Sequence, residues 1–154
     1  MSAAQEGQRP RIVAGLDGSP SSVAALRWAV RQAGLTGGSV DAVIAWQYPA
    51  GIGGFGMAPA AMLDTTDFSA AAGQALRDAV SAAVPPGSNV SVRQLVREGH
   101  PARVLIDAAA GADLLAVGCR GHGGFTGALL GSVSQHCVHH APCPVLVFRG
   151  HPDR

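Results

Sequence analysis

The chain has 154 residues, a formal net charge of +1 and only 14% charged residues, which suits one domain around one hydrophobic core. All eleven positive residues are arginine, so the lysine of a phosphate-binding P-loop is excluded, as is any catalytic lysine. The near-neutral charge offers no basic surface for nucleic acid.

Location and redox compartment follow from the same composition. No apolar run approaches the ~18 residues of a membrane span, and residues 1–10 lack the apolar centre of a signal peptide. The three cysteines include no C-x-x-C pair and do not build a disulfide framework. We therefore expect a cytoplasmic protein with a disordered tail at residues 1–10 and a single domain at residues 11–150.

The first structural unit is a strand followed by a helix. Residues 12–16 (IVAGL) form a short apolar run typical of a buried strand, which ends at Asp17. Ser19 is a candidate N-cap with Pro20 at the first helical position, and we expect the helix to stop at Gly34. The apolar positions with helical spacing are Val23, Leu26, Ala29, Val30 and Ala33.

Two further units follow along the chain. A second strand is predicted at residues 40–46 (VDAVIAW), and residues 47–64 form a long loop of a kind that is usually functional or disordered. An Ala-rich helix is predicted at residues 68–84, ended by residues 85–87 (PPG). A third strand begins around Val90.

The last part of the chain repeats the alternation. A helix starts at Pro101, a buried strand occupies residues 114–117 (LLAV), and a helix at Ser132–His140 precedes a strand at Val145–Phe148. Strands that alternate with helices predict a parallel α/β sheet with helices on both faces. Ligands of such sheets bind beyond the carboxyl ends of the strands, where the strand order reverses.

A glycine-rich stretch, GCRGHGGFTGALLGS at residues 118–132, joins the fourth strand to the last helix. Backbone N–H groups and a helix N-terminus converge at such a connection, which favours an anion such as a phosphate. One alternative is a surface loop in which the glycines only turn the chain. A dinucleotide fingerprint is disfavoured, because G-x-G-x-x-G from Gly121 needs glycine where Thr126 stands, and it belongs in the first unit.

The spacing within this stretch resembles that of a known family. Gly118, two residues, Gly121, nine residues and then Gly131-Ser132 resemble the ATP-binding signature of the universal stress protein family. The resemblance extends over nearly the whole chain, through IVAGLDGS, EGHP, LLAVGCRG and LLGSVSQHCVHHAPCPVLVFR. It implies an open five-stranded parallel sheet of order 3-2-1-4-5, Rossmann-like and of the adenine nucleotide alpha hydrolase type.

The resemblance also implies roles for individual residues around ATP, expected with Mg²⁺. Asp17 would contact the ribose or the nucleotide-bound metal, and the backbone of Ala45 and Trp46 would bond to adenine. Arg120 and His122 lie inside the glycine-rich stretch, where each could either reach phosphate or be exposed to solvent. The remaining phosphate and ribose contacts would be Gly118, Gly121, Gly131, Ser132, Val133 and Ser134. Gly118→Val and Ser132→Ala are both expected to weaken ATP binding while leaving the fold cooperative.

Histidines and cysteines cluster in the last helix and just after it. On a helix, His136 and His140 share one face at the i, i+4 spacing that zinc uses, whereas Cys137 points elsewhere. His139 and Cys143 complete no known zinc-finger spacing, and the resembled family has similar histidines here without needing a metal. We expect no zinc site here. Cys119 is expected to be a packed or half-exposed thiol.

Three functions fit the sequence. The first is an ATP-binding regulator of stress response or dormancy, expected to form a homodimer through the edge strand Val145–Phe148. The second is a slow ATPase or phosphotransferase, which the absence of lysine and of a clear base disfavours. The third is an interaction module that binds no nucleotide. The regulator is the favoured interpretation, because the Gly-Ser spacing is intact.

Overall fold

The computed structural model of the chain describes residues 9–48, 65–119 and 130–149. In these ranges, strands and helices alternate from one end to the other. The elements are β1 (Arg11–Leu16), α1 (Pro20–Thr36), β2 (Ser39–Trp46), α2 (Thr65–Ala83), β3 (Ser91–Glu98), α3 (Pro101–Ala108), β4 (Leu114–Gly118), α4 (Ser132–His140) and β5 (Val145–Phe148).

The five strands form one parallel sheet in the order β3-β2-β1-β4-β5. β1 pairs with β2 on one side, where Gly15 lies opposite Val43, and with β4 on the other, where Val13 lies opposite Leu115. The predicted fold class and strand order are therefore confirmed. The strand order reverses between β1 and β4, which is where a ligand is expected in this architecture.

Helices cover both faces of the sheet, because successive strand side chains point to opposite sides. Ile12 and Ala14 pack with α1 and α2 in one buried cluster, whereas Val13 packs with α3 and α4 in the other. Leu26 of α1 is fully buried, and burial of a leucine side chain stabilises a fold by roughly 1.5–3 kcal/mol. The two apolar layers fix the ends of the strands rigidly.

Helix α1 begins as predicted and ends later than predicted. Ser19 is the N-cap, with its side chain accepting a hydrogen bond from the backbone N–H of Ser22, and Pro20 is the first helical residue. The predicted stop at Gly34 is wrong, because the helix continues to Thr36 and ends at Gly37 in the left-handed conformation, φ 71°. Gly34 lies within the helix, where an added Cβ would be 3.5 Å from Val90.

The other boundaries agree closely with the sequence. Helix α4 and strand β5 have the predicted limits, and α2 begins three residues before the predicted start at 68, with Asp67 in its first turn. An acidic residue there is favourable at the positive end of a helix. None of the helices in the described ranges is long and apolar enough to cross a membrane.

A buried carboxylate ties β1, β2 and β3 together away from the carboxyl edge. Asp41 of β2 is only 4% exposed and pairs with Arg11 at 2.8 Å and with Arg93 at 2.9 Å. Arg11 also donates to the carbonyl of Ala110, just after α3, at 2.7 Å. Burial raises the pKa of Asp41, but the hydrogen bonds and charges of Arg93 and Arg11 outweigh it, so the pKa lies below its ordinary value.

Candidate functional site

The candidate site lies at the carboxyl edge of the sheet, where the ends of β1 and β4 stand side by side. Asp17 follows β1 directly, and Gly118 is the last residue of β4. The chain enters α1 after one of these strands and reaches α4 after the other. The first turns of both helices therefore start from the edge at which parallel sheets of this kind bind ligands.

Gly118 is required here by the close approach of helix α1. A Cβ added to Gly118 would lie 2.8 Å from the carbonyl carbon of Ser21 and 2.8 Å from the backbone nitrogen of Ser22. Backbone atoms cannot rotate out of the way as a long side chain can. A larger residue at 118 must therefore displace α1 or the end of β4, because the glycine makes room for the first turn of α1.

Ser134 of α4 holds the end of β4 in place through a hydrogen bond. Its side chain is buried on the inner face of α4, beside Cys137, and its Oγ donates a hydrogen bond to the carbonyl of Gly118 at 2.6 Å. The hydroxyl proton is thus used within the protein. This contact links the first turn of α4 to the last residue of β4 across sixteen residues of chain.

Asp17 is oriented by the N-cap of α1. Its Oδ1 accepts a hydrogen bond from the backbone N–H of Ser19 at 2.9 Å and another from the Ser19 hydroxyl. The Ser19 Oγ in turn accepts from the backbone N–H of Ser22 at 3.3 Å. The carboxylate is solvent-exposed, and its Oδ2 takes part in neither bond to Ser19. A carboxylate held in this way suits either a ribose hydroxyl or Mg²⁺.

The N-terminus of α4 differs from that of α1 in its capping. Gly131 is the N-cap in an extended conformation, φ −68° and ψ 164°. As a glycine it has no side chain to make a capping hydrogen bond, and we call this first turn uncapped in that sense. The N–H groups of Ser132, Val133 and Ser134 are the first of the helix, and such groups have no intrahelical acceptor. Ser132 is exposed beside them. An uncapped first turn with a hydroxyl is chemically suited to a phosphate.

A backbone hydrogen bond joins the two ends of the glycine-rich connection. The backbone N–H of Gly131 donates to the carbonyl of Cys119 at 2.8 Å. This bond joins the residue after β4 to the residue before α4, so both ends of the connection are fixed. The predicted residues Arg120, Gly121 and His122 lie outside the described residues.

The two predicted adenine contacts differ in where their backbone groups point. The carbonyl of Trp46 accepts a hydrogen bond from the backbone N–H of Gly99, just after β3, at 2.8 Å. The backbone groups of Trp46 therefore point toward β3. Backbone groups of neighbouring residues in a strand point to opposite sides, and the pairing of β1 with β2 ends at Leu16 and Ile44. Ala45 is therefore the residue whose backbone faces the space beyond the end of β1.

An aromatic row lies next to Trp46 and was not predicted from the sequence. The ring of Trp46 contacts Tyr48 edge-on at 6.0 Å between centroids, and Tyr48 contacts Phe68 of α2 at 5.6 Å. The sequence signal was an aromatic pair two residues apart at the end of an apolar strand. The row places an intrinsic fluorophore beside the candidate adenine position.

The three cysteines are buried or half-buried thiols, not exposed nucleophiles. Cys137 is fully buried, and burial raises the pKa of its thiol to about 11. Burial also raises the pKa of Cys143, and Cys119 is buried as expected. Among the described residues, no group of three or more His, Cys, Asp or Glu side chains is arranged to hold a metal ion.

A separate groove of about 810 Å³ lies between α1 and the segment that follows α2. Its lining includes Arg27, Arg31 and Gly34 on α1 and residues 84–90. None of the predicted nucleotide contacts borders it. The chemistry of the β1 and β4 ends, rather than the size of this groove, therefore locates the candidate site.

The fold and its carboxyl edge define a doubly wound α/β domain with an uncapped helix N-terminus at the point of strand-order reversal. The profile of the universal stress protein family matches residues 8–149. A universal stress protein of Mycobacterium tuberculosis is 35% identical over 145 residues, which is 92% of this chain and 46% of that relative. The chain belongs to the universal stress protein family.

Solved structures share the fold. A universal stress protein from Lactobacillus plantarum superposes with a TM-score of 0.74 at 22% identity, over 93% of this chain and 99% of its own. A universal stress protein in complex with cAMP superposes with a TM-score of 0.62 at 26% identity, over 90% of this chain and 95% of that structure's chain. The chain spans about half the length of the curated relatives it matches.

Proposed function

We propose that the chain binds an adenine nucleotide, with ATP as the expected ligand, and acts as a nucleotide-dependent regulator. The observation that carries the proposal is the uncapped N-terminus of α4, the helix that follows β4 and begins after Gly131. The relative solved with cAMP supports an adenine nucleotide as the ligand class. Localisation in the cytoplasm and a single domain at residues 11–150 are part of the same proposal.

The proposed contacts follow the geometry of the edge. The first N–H groups of α4 and the Ser132 hydroxyl would bind phosphate oxygens, and Asp17 would take a ribose hydroxyl or a phosphate-bound Mg²⁺. The Ala45 backbone would bond to adenine. Gly118 and Ser134 would act through position, because the first admits α1 and the second fixes the β4 carbonyl.

Binding without rapid turnover is the expected behaviour. Phosphoryl transfer needs positioned cations on the transferred group and a residue that orients the nucleophile. The chain contains no lysine, and Asp17 is the single carboxylate proposed for this edge. Mg²⁺, when bound with the nucleotide, would supply charge neutralisation on the phosphates. Slow hydrolysis is the alternative activity that this edge supports.

Assembly through β5 is the second part of the proposal. β5 pairs only with β4 among the described strands, and all four of its residues are half-buried. An edge strand left in this state needs a partner or a cover. A second copy that pairs with Val145–Phe148 would provide one, and a change in this contact on nucleotide binding would pass the signal to a partner protein.

The proposal is tested by identifying what the protein holds. The purified chain is denatured, and the released small molecules are separated and identified by mass. Nucleotide-free protein is then titrated calorimetrically with ATP, ADP and cAMP in Mg²⁺, with Ser132→Ala as the site variant and exposed Ser81→Ala on α2 as the matched control. Loss of affinity in Ser132→Ala alone is expected, and absence of binding by all three nucleotides would refute the proposal.

A further inference from the structure

Two exposed histidines stand together on the last turns of α4, apart from the proposed nucleotide contacts. His136 and His140 are one helical turn apart, and their ring centroids lie 5.5 Å from each other at a tilt of 44°. Neither ring is used by the proposed nucleotide site. Neutral imidazoles at i, i+4 on a helix are a common pair of ligands for transition metals.

The separation of the rings fits one metal ion between them. A metal at about 2.0–2.1 Å from an imidazole nitrogen lies about 3.2 Å from the ring centre, so two rings at a tetrahedral angle have centres about 5.2 Å apart. The observed 5.5 Å differs from this by a few tenths of an ångström, about the amount that small side-chain rotations provide. The neighbouring pairs are wider, at 6.4 Å for His100 with His136 and 6.3 Å for His139 with His140.

The C-terminal end of α4 favours a cation electrostatically. His140 is the last residue of α4, and the backbone N–H of the C-cap residue Ala141 donates to the carbonyl of Cys137. The final carbonyls of a helix carry partial negative charge that stabilises a nearby cation. A divalent ion between His136 and His140 would lie on this last turn, where the dipole favours it.

His100 is excluded as a ligand by its own hydrogen bond. Its Nδ1 accepts from the backbone N–H of Ala102 at 3.2 Å as the N-cap of α3. A neutral imidazole carries one proton, so Nε2 holds it and neither nitrogen offers a lone pair. His139 is adjacent in sequence to His140 and points about 100° away around the helix, so it cannot replace His136.

We propose that His136 and His140 form a two-histidine surface site for a divalent transition metal such as Zn²⁺, with water in the remaining positions. This proposal reverses the expectation from the sequence that the histidine cluster holds no zinc; Cys137 is buried and takes no part. The site differs from any nucleotide-bound Mg²⁺, since His136 and His140 lie about 6 and 12 Å along the helix from Ser132 at about 1.5 Å per residue. Titrating nucleotide-free protein with the metal measures this site separately.

The test is a calorimetric titration of chelator-treated, nucleotide-free protein with Zn²⁺. His136→Gln and His140→Gln are each expected to lower the affinity about 10-fold or more, the scale seen when metal sites lose supporting groups. Three matched controls, namely His139→Gln, His100→Asn and Cys143→Ser, are expected to stay within about 2-fold of the wild type. Asparagine at 100 keeps an N-cap.

A second readout separates metal loss from folding damage. In chelator, His136→Gln, His139→Gln and His140→Gln should melt at the wild-type temperature because the substituted rings are exposed. Zn²⁺ should raise the midpoint only where both His136 and His140 remain. Absence of Zn²⁺ binding, equal affinity in His136→Gln or His140→Gln, or loss of binding in any of the three controls would each overturn the proposal.

Discussion

The contact between Gly118 and α1 leads to a prediction about stability. In Gly118→Ala, the new Cβ would start 2.8 Å from two backbone atoms of α1. Real Cβ atoms essentially never come closer than 3.0 Å to such neighbours. The carbonyl of Gly118 is also held by Ser134 at 2.6 Å. Relief therefore requires that α1 or the end of β4 move, so the substitution acts on the fold before it acts on any ligand.

The size of the effect follows from comparable overpacking. One extra methyl group in a tightly packed place typically costs about 1–3 kcal/mol, and the backbone neighbours of Gly118 favour the upper half of that range. For a domain of this length, each kcal/mol lowers the melting temperature by about 2–4 °C. A fall of about 4–12 °C is expected, and ATP affinity should fall with it because the site shifts.

Thermal melts followed by circular dichroism measure the effect, with Gly73→Ala as the matched control. Gly73 lies inside α2, and an added Cβ there would be 3.5 Å from the end of the Arg77 side chain and 3.9 Å from Val96, both ordinary van der Waals contacts. Alanine should therefore stabilise the helix by about 0.5–1 kcal/mol. A Gly118→Ala protein that melts at or above the wild-type temperature would refute the packing argument.

Three further predictions concern the contacts that shape the fold around this edge and beyond it. Asp41→Asn should destabilise the fold by about 2–3 kcal/mol by breaking a largely buried pair with an exposed arginine partner. Because the pKa of Asp41 is lowered, its contribution is present above the ordinary value of 3.8 and is lost as pH falls through the folded pKa; urea melts of the variant that show an unchanged acid slope would contradict this. Ser134→Ala should cost about 1 kcal/mol and weaken ATP binding, and calorimetry that finds affinity unchanged would argue against its positioning role. Ser19→Ala should cost about 1 kcal/mol through loss of the α1 cap, and a chemical melt that coincides with wild type would disprove the capping role.

The succession of strands and helices along the chain was predictable because local patterns determine it, whereas the order of the strands in the sheet was expected from the family resemblance. Short apolar runs and helical spacing are properties of a few consecutive residues, and α4 and β5 have the predicted limits. The end of α1 was misplaced because a glycine inside a helix and one that terminates it look alike in sequence. Gly34 is accommodated next to Val90, which is distant in the chain, and Gly37 takes the left-handed turn.

The long-range contacts were beyond local patterns. Asp41 meets Arg11 and Arg93, thirty and fifty-two residues away, and only the register of three strands brings them together. The hydroxyl of Ser134 turns toward Gly118 for a similar reason, since it lies on the buried face of α4. The positions of Asp17 and of the α4 N-terminus were predictable because both follow directly from where strands end and helices begin.

Amide chemical shifts recorded during an ATP titration test the central claim most directly. With Mg²⁺ present, the account predicts the largest shift changes at Ser132, Val133 and Ser134 in the first turn of α4, with smaller changes at Asp17 and Ala45. Absence of changes there, or changes concentrated in the groove lined by Arg27 and Arg31, would contradict it.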